Sequence, residues 1–211
     1  MPDNKDRAHK LIEKYIDLID TNKFEDFYLT IGSEVDNDES AVTGYISEIL
    51  ESVQIFPLDH LSYIPKYYAA YRQDLSTIVI PSHITAIDPG AFKFCSNLKE
   101  VILPEGLEVL DYQAFAACIR LEKINFPSTL VKIDREVFFN CASLDNYKLN
   151  NGLKEIDRRA FWGTKQDRVE MPASVTMAAP DVWGTKKIHF LIHRGAPLLP
   201  TYANNNFEYI D

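Results

Sequence analysis

LKEVILPEGLEVLDYQAFAAC (residues 98–118) and LEKINFPSTLVKIDREVFFNC (residues 121–141) are one pattern written twice. The pattern extends both ways along the chain. Cys95, Cys118 and Cys141 stand 23 residues apart, and so do Phe92, Phe115, Phe138 and Phe161, and Asp88, Asp111, Asp134 and Asp157. Three residue types that share one period mark a stacked repeat. The apolar columns agree: Ile78/Val101/Ile124/Tyr147/Val169, Ile80/Leu103/Phe126/Leu149/Met171, Ile84/Leu107/Leu130/Leu153/Val175 and Ile87/Leu110/Ile133/Ile156. Runs such as Val101-Ile102-Leu103 read as short strands with alternate positions inward. Pro81, Pro104 and Pro127 end those strands, because proline cannot donate to a ladder. The expected product is one curved parallel sheet in a solenoid of about five rungs, right-handed by the usual chirality of parallel crossovers. The fourth unit is one residue shorter around Gly163 to Asp167, and Trp183 replaces the fifth Phe.

These units resemble the BspA-like, or Treponema-type, leucine-rich repeat, with its L-x-x-I-x-L-P, L-x-x-I and A-F-x-x-C spacing. The resemblance covers residues 64–187 and implies an α/β leucine-rich-repeat superhelix serving as a non-catalytic interaction scaffold. Residues 64–75 look like a degenerate first unit, with Ala69 in the Phe position and Arg72 in the Cys position. The ending, residues 188–211, is similar to the family's C-terminal cap of strand, short helix and strand. Some members of the family have surface or adhesion roles, which makes surface recognition an alternative function.

Residues 1–63 lie outside the resemblance. Leu11, Ile12, Tyr15, Ile16 and Ile19 predict a helix over 5–20, and Val42, Tyr45, Ile46, Ile49, Leu50 and Val53 a second over 40–53, with Ser40 as N-cap. Together they are expected to form a small helical N-terminal cap over the first rung, since terminal rungs otherwise expose core. Between the helices, Glu34, Asp36, Asp38 and Glu39 form an acidic loop. It is not an EF-hand: Ala41 takes the place of the turn glycine and Ser47 that of the bidentate Glu.

The 211-residue chain is 46% hydrophobic and 25% charged, a soluble globular mixture, with a net charge of -9. Residues 1–63 hold 14 acidic and 5 basic side chains, and the remainder hold 17 of each. A chain without a basic face is not expected to bind nucleic acid directly. The acidic third suggests a further alternative, a charge mimic that blocks a basic nucleic-acid-binding enzyme. No apolar run is long enough for a membrane span, and the polar N-terminus lacks a signal core. The expected location is cytoplasmic, with secretion or surface display as the alternative, and the default state is a monomer.

No phosphate loop, nucleophile elbow, H-E-x-x-H or paired C-x-x-C occurs, so no enzyme is expected. Neither a cofactor nor a metal is expected. The Cys column reads as a ladder of small apolar side chains, since no His shares it and Thr164 follows in the fourth place. The Asp column reads as capping groups for the segment that follows each Asp. Variable positions are where recognition of a protein partner, including a host protein to be modulated or inhibited, would lie. On the outward strand face these are Lys99, Glu100, Ile102, Glu122, Lys123, Asn125, Lys148, Arg168 and Glu170. Phe139 and Trp162 share a column on the opposite side and form an aromatic candidate, and the acidic loop is the third.

Overall fold

The computed structural model describes residues 62–203 and 205–211. The two expected helices and the acidic loop with Glu34, Asp36, Asp38 and Glu39 lie outside the described residues.

Most rungs contribute two short strands rather than one. A six-stranded parallel sheet runs the length of the repeats through β1 (Tyr63–Ile64), β3 (Ala86–Ile87), β5 (Val109–Leu110), β7 (Lys132–Ile133), β8 (Glu155–Ile156) and β10 (Met177–Ala178). It counts six rungs, one more than the sequence pattern suggested, because the degenerate first unit is a full turn of the stack. The strands expected from the L-x-x-I-x-L pattern form a second ladder, and that ladder is interrupted. β2 (Thr77–Val79), β4 (Glu100–Ile102) and β6 (Lys123–Ile124) make one three-stranded sheet. β9 (Arg168–Met171), β11 (His189–His193) and β12 (Asn206–Ile210) make another, with a 3₁₀ turn over Pro200–Tyr202 between its last two strands. The one continuous sheet of the sequence reading is therefore corrected to an unbroken ladder and a broken one. The break falls at the fourth unit.

The expected α/β class is corrected too, for the described residues contain no α-helix. The segment after each Asp is a turn whose backbone alternates in hand. Gly90, Gln113, Glu136 and Arg159 have φ of 67, 56, 60 and 56°, and four residues on Phe94, Ala117, Asn140 and Gly163 have φ of 62, 59, 58 and 81°. A helix cannot continue through left-handed residues at that spacing. Alternate N–H groups point along the stack instead. Gly90 donates to Tyr112 O at 2.9 Å, Phe92 to Ala114 O at 2.8 Å and Phe94 to Ala116 O at 2.8 Å, so the turns hydrogen-bond rung to rung. The Asp column caps these turns at their first free N–H: Asp111, Asp134 and Asp157 Oδ1 accept from Tyr112, Arg135 and Arg158 N at 2.6, 2.5 and 2.6 Å.

Between the two ladders and the turns lies one core. Phe92, Phe115, Phe138 and Phe161 stack with ring centroids 5.3, 5.8 and 5.2 Å apart, and Trp183 continues the stack at 5.7 Å. Each such ring, fully buried, contributes roughly 1.5–3 kcal/mol relative to exposure. Beside it runs the thiol ladder, also fully buried. Cys95, Cys118 and Cys141 Sγ donate to Ala69, Phe92 and Phe115 O at 3.0, 3.2 and 3.2 Å, and Thr164 Oγ1 donates to Phe161 O at 2.9 Å. Small size and one donor are what that column requires.

Candidate interaction face

The outer face of the broken ladder carries the strand residues expected there. Lys99, Ile102, Glu122, Lys123, Asn125, Lys148, Arg168 and Glu170 are exposed and Glu100 is half-buried, whereas Val101 and Val169 between them are buried. Strand alternation produces this division directly. Three of the nine are already engaged. Asn125 turns its amide back onto the neighbouring rung, accepting from Leu103 N at 2.7 Å and donating to Leu103 O at 2.9 Å. Arg168 Nη2 donates to Glu208 Oε1 at 2.7 Å, and His193 Nε2 lies 3.3 Å from Glu170 Oε1.

The break in the ladder shapes this face, and its cause is size. Tyr147 stands in the column of Ile78, Val101, Ile124 and Val169, and it is buried. Its ring stacks on Phe161 at 4.7 Å, and its hydroxyl accepts a hydrogen bond from Trp183 Nε1 at 2.8 Å. Burial pushes that hydroxyl well above the ordinary phenol range despite the Trp183 bond. A phenol ring that needs more depth than a branched aliphatic chain displaces the backbone that carries it. Asn146 accordingly takes φ 53°, with Asp145 Oδ1 accepting from its N–H at 3.0 Å. Among the described residues, no backbone hydrogen bond joins 122–126 to 145–149.

On the other side of Tyr147 a side chain replaces the ladder. The unit that carries Tyr147 is one residue short, so Gln166 stands 22 residues beyond Leu144 and is buried. Its Oε1 accepts from Tyr147 N at 2.8 Å, and its Nε2 donates to Tyr147 O at 3.1 Å and Arg168 O at 2.9 Å. A buried amide with every bond made stabilises the bend; an aliphatic chain there would leave main-chain groups unpaired.

The bend opens a cleft of about 800 Å³ between β6 and residues 143–147, lined by Glu100, Ile102, Glu122, Lys123, Asn125 and Lys165 among others. A second cleft of about 460 Å³ continues over Lys148, Arg168 and Glu170 to Leu191. Asp145, which lines both clefts, forms an ion pair at 3.2 Å with Lys165 of the first. Eight of the nine strand-face candidates line these two clefts, and Lys99 lies just outside them. Tyr147, Gln166 and Lys165 were not singled out as site residues from sequence. A Tyr in an aliphatic column and a unit one residue short were the signals.

Phe139 and Trp162 are not brought into this face. They lie on the turns, half-buried, with ring centroids 6.4 Å apart. The Arg159 guanidinium lies 5.4 Å from the Trp162 ring, and Gly184 packs directly against that ring. These two aromatics are therefore largely occupied by neighbours from their own stack.

Solved structures share the architecture. A leucine-rich repeat protein from Bacteroides ovatus matches with a TM-score of 0.56 and 25% identity over 64% of this chain. The leucine-rich repeat protein of T. pallidum matches with a TM-score of 0.53 and 23% identity over 56% of this chain. The match spans only 38% of the first of those chains and 58% of the second. No curated protein matches. The BspA type leucine rich repeat region model matches residues 62–186 in six copies, as many as the rungs of the continuous sheet. By that match over more than half its length, the chain belongs to the BspA-type leucine-rich repeat family.

Proposed function

We propose that the chain is a non-catalytic protein-interaction module that seats a protein partner on the outer face of the broken ladder, centred on the clefts around Tyr147. The carrying observation is the bend at the fourth unit. It converts a regular strand face into a shaped recess bordered by Lys123, Lys148, Glu122, Glu170 and the apolar Ile102. Repeat scaffolds of this kind generally bind through such extended faces. The groups whose ionisation the fold perturbs most, the Cys118 and Cys141 thiols and the Tyr147 hydroxyl, are buried and held in their neutral forms. That is the reverse of an activated nucleophile.

The test is affinity capture by the full chain at low and high salt, beside Lys123→Glu/Lys148→Glu. A control variant, Lys154→Glu/Arg158→Glu, reverses exposed charges away from the clefts. The expected outcome is a defined protein partner retained at both salts by wild type and control, with affinity reduced at least about tenfold in the cleft variant, the size of effect that breaking charge complementarity has at a rim or centre. Capture indifferent to the cleft variant would contradict the reading. If that capture were also abolished by salt, the activity would move to the acidic residues 1–63.

A further inference from the structure

The stack ends on β12, an edge strand whose first four residues are all exposed. Asn206–Ile210 pairs on one side only, with β11, in the register Phe190↔Phe207 and Ile192↔Tyr209. Partners in a parallel pair project to the same side of the sheet. Phe190 and Ile192 are fully buried, so Phe207 and Tyr209 continue a core column, yet they are 44% and 47% exposed. Leu198, at 71% exposure, is a third large apolar side chain of this terminal segment. Along the strand the backbone groups divide by parity. Asn206 N donates to Ile188 O and Ile210 O accepts from Arg194 N, so residues 206, 208 and 210 point at β11. The N–H and C=O of Phe207 and Tyr209 point away from it, along an outer edge that has no partner among the described residues.

We propose that this edge is a self-association surface, at which β12 of a second copy pairs antiparallel about a twofold axis. A free strand edge is satisfied by another strand, and a twofold contact requires a patch that complements itself. β12 does so in one register. Phe207 lies opposite Tyr209 of the second copy and Tyr209 opposite its Phe207, which closes four backbone hydrogen bonds and makes two aromatic cross-strand pairs on the uncovered core face. Glu208 then meets its twin on the other face. Each carboxylate is compensated within its own chain by Arg168 at 2.7 Å. Charge also permits this contact. Acidic and basic residues balance from 64 onward, so the described stack carries no net charge to oppose a second copy. The occupant is therefore another copy of this chain, and the contact closes at two.

Sedimentation equilibrium of the full chain, from low to high micromolar concentration, tests this beside Phe207→Lys and Tyr209→Pro. Phe207→Lys removes a core-face aromatic. Tyr209→Pro deletes an N–H that points outward, leaving the β11 bonds in place, as proline on an edge strand permits. The expected result is a monomer–dimer equilibrium whose dissociation constant rises at least about tenfold in each variant, because a substitution carried by both copies removes both aromatic pairs, and Tyr209→Pro also removes two of the four backbone bonds. Hydrogen exchange on the wild type keeps the test independent of variant folding: the Phe207 and Tyr209 amides should gain protection as concentration rises. A monomer at every concentration overturns the proposal, as does a dimer indifferent to both substitutions. Open-ended polymers, or association without protection of those two amides, overturn it equally.

Discussion

Gln166 shows how a single side chain can take over the work of a strand. Its amide meets both main-chain groups of Tyr147, which a ladder partner would otherwise satisfy. Gln166→Leu would restore the leucine of the repeat and leave both groups buried without partners. The expected cost is about 1–3 kcal/mol, read as a lower urea midpoint at unchanged slope. A midpoint equal to wild type would show that water replaces the amide. The thiols make the complementary point. Burial, with help from the neighbouring Cys95 thiol, holds the Cys118 proton on; burial alone does so for Cys141, and it pushes the Tyr202 hydroxyl up to about 12. At alkaline pH the folded state then binds more protons than the unfolded state, whose thiols and phenols ionise near roughly 8.5 and 10. Stability should be level below about pH 8 and fall steadily above about pH 9. Urea midpoints across that range check the sign, and a rise with pH would contradict it.

At the scale of the element, the turn segment departs most from expectation. The repeated Asp before a short polar stretch reads as a helix cap, and in the fold it caps a turn. The residue pattern alone does not separate the two, since both offer a free N–H just after the Asp. What separates them is the next rung, whose carbonyls take the alternate N–H groups. Most of the left-handed positions tolerate ordinary side chains, so backbone hand alone does not demand glycine there. Gly184 is different. Its φ is 69°, and a Cβ would lie 2.6 Å from Trp162 Cδ2. Gly184→Ala should cost about 1–3 kcal/mol, the range for overpacking, and drive the Trp162 ring outward. A lower melting temperature with red-shifted tryptophan emission would show it. An unchanged spectrum would mean that the ring has room to yield.

For the whole molecule the relevant property is that each rung touches only its neighbours. Stability is then close to a sum over rungs and their interfaces. Excision of residues 99–121 joins Leu98 to Glu122 and keeps every column in register. The shortened chain should fold with the same circular dichroism profile and a smaller denaturant slope, because less surface is exposed on unfolding. Excision of residues 99–118 joins Leu98 to Ile119, breaks the period, and should abolish the cooperative transition. If both deletions fold equally well, the columns do not set the stack.

By itself the sequence determined the repeat, its period, the inward columns, the outward strand residues and the family. All of these follow from local spacing: a residue type that recurs every 23 positions must occupy equivalent places in successive turns. Tertiary structure decided the rest, because it depends on groups that meet only after stacking. The break in the ladder rests on how much depth Tyr147 takes against Phe161 and Trp183, the latter 36 residues further along. The clefts, and hence the candidate site, are consequences of that one packing choice. Turn rather than helix was decided by carbonyls one rung away. The exposed aromatics of β12 sit in a column written for the core, and only the end of the stack leaves them uncovered.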